Sequence, residues 1–180
     1  SQGLCFIGKV RLPDFLQQQL QPKQGQIIEI PESFEDYKIT APTFETNEEA
    51  LVFGARKIKY KSSDGAVVGT HQGAHYFTKG QRKGLAVGGT VEPLFVIDTD
   101  VIENIIYTGQ GKNHPGLYRS VLRVQPSETH WVRPDLELKV GQSLQVMARI
   151  RYRQSLEVAT IYSTKEGLYV AFDSPQSAIT

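Results

Sequence analysis

Leu144-Gln145-Val146-Met147-Ala148-Arg149-Ile150-Arg151-Tyr152-Arg153 is the cleanest alternating stretch of the chain. Successive side chains of a strand point to opposite faces, so Leu144, Val146, Ala148, Ile150 and Tyr152 share one side. Arg149, Arg151 and Arg153 share the other. The pattern predicts a strand over residues 144–153 with an apolar face and a basic face. Tyr152 belongs to the core on that reading, unless a bulge or the end of the strand turns it outward.

The neighbouring segments have the same texture. Tyr118 to Val124, Val158 to Ser163 and Leu168 to Phe172 follow Gly109-Gln110-Gly111 at close spacing, with no helical pattern between them. Such spacing favours a small closed antiparallel barrel over a parallel sheet. Upstream, Val67-Val68-Gly69, His75-Tyr76-Phe77-Thr78, Leu94 to Ile97 and Ile105 to Tyr107 are short β-rich runs parted by glycine, and Gln26 to Ile30 reads as a further strand. Pro13, with Leu12, Phe15, Leu16 and Leu20 at helical spacing, predicts one short helix before Pro22. Glu32 to Thr46 is polar, proline-bearing and aperiodic, as an inserted surface loop would be. Thr46-Asn47-Glu48-Glu49 is a capping-box sequence, yet Ala50 to Phe53 is an apolar run cut by Gly54, so helix and strand both stay open there. The expected fold is mainly β: a β-rich central domain with a short helix over 1–107, then a small C-terminal antiparallel β-barrel over 108–180.

At 180 residues with 39% hydrophobic content, the chain can build one large or two small domains. Twenty basic and nineteen acidic side chains leave a formal charge of +1, so no global field draws it to nucleic acid or to a membrane. Any RNA contact must come from local patches. No run approaches the roughly twenty apolar residues of a membrane helix, and the N-terminus lacks the pattern of a secretory signal. The chain begins with Ser1 and stops at Ala178-Ile179-Thr180 directly after a strand-like run, which suggests a fragment with a truncated barrel.

Cys5 is the single cysteine, in Ser1-Gln2-Gly3-Leu4-Cys5-Phe6-Ile7-Gly8. Its flanking glycines permit close approach by another backbone or a substrate, as a reactive thiol requires, whereas packing alone explains many buried cysteines. A lone cysteine excludes an internal disulfide and a Cys-x-x-Cys redox pair, and it fits a reducing compartment such as the cytoplasm.

Three arginines on one strand face repel one another unless an anion lies across them, so an RNA backbone is a natural partner; a solvated outer face is the plainer alternative. Gly80-Gln81-Arg82-Lys83-Gly84 is a second basic cluster in a glycine-bounded loop, where backbone N–H groups could also meet phosphate, and a plain exposed turn is again the alternative. Arg56, Lys57, Lys59 and Lys61 have the composition of an ordinary surface. His71 and His75 are four apart, a metal-ligand spacing only on a helix, and Gly69 and Gly73 argue against one; no metal is expected. No Gly-x-Ser-x-Gly turn, dinucleotide fingerprint or phosphate loop occurs.

With these segments in place, the chain resembles the central and C-terminal portions of the tRNA-specific 2-thiouridylase family. The resemblance rests on Ser1, Gly3 and Cys5-Phe6-Ile7-Gly8; on Gly69, His71, Gly73, Tyr76, Thr78 and Gly80-Gln81-Arg82-Lys83-Gly84-Leu85; on Gly88-Gly89, Glu92-Pro93, Gln110-Gly111, His114-Pro115 and His130-Trp131; and on Arg151-Tyr152-Arg153-Gln154 and Phe172-Asp173. It implies that Cys5 carries a persulfide, received from a sulfur-donor protein, and delivers its outer sulfur to C2 of the wobble uridine in tRNA. It implies that ATP adenylates the C2 oxygen first, on an N-terminal domain whose phosphate-binding loop and second cysteine are not in this sequence. This fragment alone would then be inactive. It implies that Arg151 and Tyr152 touch tRNA, and that the barrel is like the second domain of translation elongation factors. The sequence departs from the family pattern at Val10, where an arginine is usual, in the length of the segment from Glu32 to about Lys61, and in its ending before a Pro-Gly-Gln that also contacts tRNA. The competing reading is a stand-alone β-barrel RNA-binding module with a structural cysteine.

Overall fold

The computed structural model describes residues 23–152 and 154–178. Cys5 and the helix expected between Pro13 and Pro22 lie outside the described residues, as does Arg153. The chain divides into two compact units, one built from residues up to 34 with 60–117 and the other from 35–59 with 118 onward.

The first unit is a four-stranded sheet of order β2-β1-β4-β3, with β1 at Gly25–Glu29, β2 at Ala66–His71, β3 at Leu94–Asp100 and β4 at Ile105–Gln110. β1 pairs antiparallel with β2 but parallel with β4, Ile27 facing Ile106 and Ile28 facing Tyr107. Adjacent residues of β1 vanish from solvent together, as they do where a sheet is covered on both faces. Ile27 and Ile28 are both fully buried. On one side Ile27 packs with Ala74, Leu85, Leu94, Val96 and Ile106. Elsewhere in the unit Tyr107 stacks on Tyr60 and Tyr60 on Phe34, with ring centroids 5.4 and 5.7 Å apart.

His75-Tyr76-Phe77-Thr78 is not the strand its apolar alternation suggests. Ala74–Tyr76 forms a 3₁₀ turn, because Gly73 takes φ +144° and the Ala74 N–H donates to Asn104 Oδ1 at 2.9 Å, which draws the backbone out of the extended path. His114 is fully buried against Gly109, whose missing side chain makes room for the imidazole. Its Nδ1 accepts the Gly116 N–H, so its Nε2 holds the proton and donates to the Ile30 carbonyl at 3.0 Å.

The second unit is an antiparallel sheet of order β5-β8-β7-β6, with β5 at Tyr118–Val124, β6 at Ser143–Ala148, β7 at Glu157–Thr164 and β8 at Gly167–Ser177. Here the burial alternates, as along β6, and the centre is Ala159 with Phe172. Pro175 sits in β8 where the register against β5 slips between Arg119 and Val121, a bulge that tolerates a residue with no N–H. The 46–54 ambiguity resolves as a helix, α1 at Asn47–Gly54. Thr46 Oγ1 accepts the Glu49 N–H at 3.2 Å and the Glu49 carboxylate accepts from Thr46 in return, so the capping box decides the matter. The fold is mainly β, two sheets with one α-helix among the described residues.

Candidate functional site

The strand predicted over 144–153 ends at Ala148. Ala148 pairs with Glu157 at the start of β7, so the chain must turn within residues 149–156 to return along its neighbour. The alternation of apolar and basic residues continues past the point where a pairing partner exists, and without a ladder it does not hold the backbone extended. Arg149, Arg151 and Tyr152 therefore stand on a connecting turn rather than on a strand face.

Tyr152 is 86% exposed, the outward placement that the end of a strand allows and not the core position that regular alternation predicts. The Arg149 guanidinium lies 5.5 Å from the centroid of its ring, within cation–π range. Arg151 Nη2 donates to the Ala178 carbonyl at 3.1 Å, at the end of β8, where Ala178 is buried with φ +56°. Beside it the Gln154 amide nitrogen donates to the Gln176 side-chain oxygen, and Gln176 donates to the Ser174 carbonyl at 2.8 Å. The Gln154 N–H closes the turn on the Arg151 carbonyl at 3.0 Å.

These contacts hold a turn that carries two cationic groups and an open aromatic face. Among the described residues, no acidic side chain forms an ion pair with Arg149 or Arg151. Such a constellation can stack an unpaired base on the ring and meet phosphate with the guanidinium groups. Gln176 and Ala178 are members of the site that sequence reasoning does not single out. They lie 22 and 27 residues from the side chains they hold, and no local pattern marks that pairing.

The other candidates separate. Arg56 lies 4.0 Å over the Phe53 ring, packed within its own unit. Arg82 and Lys83 are exposed on a loop of the first unit. His71 is buried; its Nδ1 accepts the Gly73 N–H at 2.9 Å, and its Nε2 has no hydrogen-bond acceptor among the described residues. Burial holds the His71 and His114 pKa values below the usual imidazole range, against the opposing pull of nearby backbone groups. Both therefore act as neutral packing groups, while His75 is exposed and stacks on Tyr76 at 4.0 Å. Among the described residues no helix is long and apolar enough to cross a membrane.

Two protein-family models match the chain: "tRNA methyl transferase PRC-barrel domain" over residues 49–110, and "Aminomethyltransferase beta-barrel domain" over residues 121–180. Proteins named tRNA-specific 2-thiouridylase MnmA are similar along its whole length. That of Christiangramia forsetii is 60% identical over 180 residues, and that of Flavobacterium johnsoniae 58%, each match covering 100% of this chain and 46% of the relative. That of Pseudomonas fluorescens (strain Pf0-1) is 35% identical over 184 aligned residues, covering 39% of the relative. The chain thus spans about half the length, or less, of the curated relatives it matches.

Proposed function

The chain belongs to the tRNA-specific 2-thiouridylase family MnmA, and we propose that the protein of which it forms part replaces the C2 oxygen of the wobble uridine in tRNA with sulfur. The observation that carries this reading is a match at 60% identity to a protein of that name, in an alignment that covers all 180 residues and so includes the Cys5 segment.

In this reading Cys5 holds a persulfide delivered by a sulfur-donor protein. ATP, bound by residues outside this chain, converts the C2 oxygen to an adenylate leaving group. The outer sulfur attacks C2 and AMP departs with the oxygen. The bond between that sulfur and Cys5 then breaks as a second thiol, also outside this chain, joins the Cys5 sulfur in a disulfide. A thiolate is the form that accepts and passes on sulfur. The reading places the protein in the cytoplasm, with its substrate.

The turn after β6 is proposed as the tRNA contact of the second unit, with Tyr152 stacking on an unpaired base and Arg151 meeting the backbone. Support comes from the exposed ring and from cations without acidic partners among the described residues.

The test is Cys5→Ser in the full-length protein, with 2-thiouridine in bulk tRNA quantified by nucleoside mass spectrometry. Thiolation is expected to vanish while tRNA affinity is retained. Undiminished 2-thiouridine would remove the sulfur-carrying role and leave the stand-alone RNA-binding module as the better account.

A further inference from the structure

We infer that the loop from Gly80 to Val91 in the first unit is a second phosphate-binding surface for RNA, with Arg82 and Lys83 as the contacting cations and Gln81 as the residue that positions them. The inference rests on the tRNA reading above.

Charge is the first observation. Between Asp64 and Glu92 the sequence holds no acidic residue, while Lys79, Arg82 and Lys83 fall within five positions. In a chain of formal charge +1, so long an acid-free segment is a local electropositive patch. Arg82 and Lys83 are exposed, and neither forms an ion pair among the described residues.

The second observation is how the loop is held. The Gly80 N–H donates to the Val96 carbonyl at 2.7 Å, and the Val96 N–H returns to the Gln81 carbonyl at 2.9 Å, which fastens the loop to β3. Gln81 Oε1 accepts the Thr78 N–H at 3.2 Å while its Nε2 donates to the Lys83 carbonyl at 2.8 Å. Further along, Leu85 is buried in the core and Val87 packs against it. Arg82 and Lys83 project between these anchors, so little ordering remains to oppose binding.

The backbone supplies the third. Gly84, Ala86 and Gly89 all take positive φ, including +52° at Ala86, a conformation an alanine adopts only at a cost of about 1–3 kcal/mol. From Ala86 to Val91 no backbone N–H finds an acceptor among the described residues. Gly88 and Gly89 have no atom within 4 Å of where a Cβ would stand, so a phosphodiester chain can approach those donors. A turn needed only for solubility requires neither feature. Free N–H groups beside cations are what a phosphate recognises.

The experiment uses the full-length protein and unmodified substrate tRNA, with binding measured across a salt series. Arg82→Ala/Lys83→Ala is expected to weaken binding about tenfold or more at low salt and to reduce the slope of log K against log salt by about 1.5, as two lost phosphate contacts imply. Gln81→Ala, which keeps both cations, is expected to raise KM for tRNA severalfold with kcat and melting temperature unchanged, a split that a purely structural role would not produce. If the wild type binds tRNA and the double variant matches it in affinity and slope, the inference fails while the proposed function stands. Unchanged tRNA binding with slower sulfur loading of Cys5 would assign the loop to a protein donor and also overturn it. A wild-type protein with no tRNA affinity would instead sink the proposed function, and this inference with it.

Discussion

The two sheets bury their residues by different rules. In the first, consecutive positions disappear from solvent, as at Ile27 and Ile28 or Val96 and Ile97, and buried histidines fill the gaps. In the second, burial alternates along β6, and the enclosed positions are spaced apart along β7 and β8, as at Ala159, Tyr169 and Phe172. A sheet covered on both faces tolerates neither added volume nor new charge. A one-sided sheet tolerates both on its outer face and leans on a few large inward side chains.

The largest effect expected from this contrast is at Phe172. Phe172→Ala removes the bulk of the second unit's centre and is expected to cost about 3–4 kcal/mol. Segment-resolved hydrogen exchange should show β5 to β8 losing protection while β1 to β4 keep theirs. A cost under about 1 kcal/mol would mean the second sheet has cover elsewhere.

Gly109→Ala probes the opposite failure. The new Cβ would overlap the His114 ring, so overpacking of about 2–3 kcal/mol is expected, confined to the first unit. If urea denaturation shows the variant to be as stable as the wild type, the close packing of that unit is disproved.

Acid should then divide the units. Folding lowers the pKa values of His71 and His114. The unfolded chain therefore binds protons that the folded one resists, and stability is greatest above the ordinary imidazole value of about 6.5 and falls as pH drops below it. Exchange protection of β1 to β4 is expected to fall between pH 7.5 and 5.5 more than that of β5 to β8, whose unit holds only the exposed His130. His114→Gln, which keeps a donor for Ile30, should flatten the difference; equal acid sensitivity of both units would break the comparison.

The smallest effect concerns α1. Thr46→Ala deletes half of the capping box and is expected to cost about 1 kcal/mol, seen as faster exchange within Asn47–Gly54 alone. No change there would leave α1 held by its packing instead.

Much of this architecture is legible in one dimension. The β-rich texture, six of the eight described strands to within three residues at each end, and the capping box of α1 all follow from local alternation and side-chain chemistry, because each feature needs only near neighbours. The basic and aromatic residues of the candidate site are likewise visible as residue types. The family resemblance was legible through Cys5-Phe6-Ile7-Gly8 and the glycine-bounded loop at 80–84.

Pairing was not legible. The parallel match of β1 with β4 joins residues about eighty positions apart, and nothing in either segment announces it. For the same reason the strand at 144 could not be seen to stop at Ala148: its alternation runs on, and only the return of β7 opposite Glu157 ends the ladder. That early stop moves Tyr152 from a core position to the surface and brings Arg151 to the Ala178 carbonyl. Sequence alone determined which side chains are present and which local conformations they favour; the tertiary structure decided which way they face, since facing depends on hydrogen-bond partners supplied from distant parts of the chain.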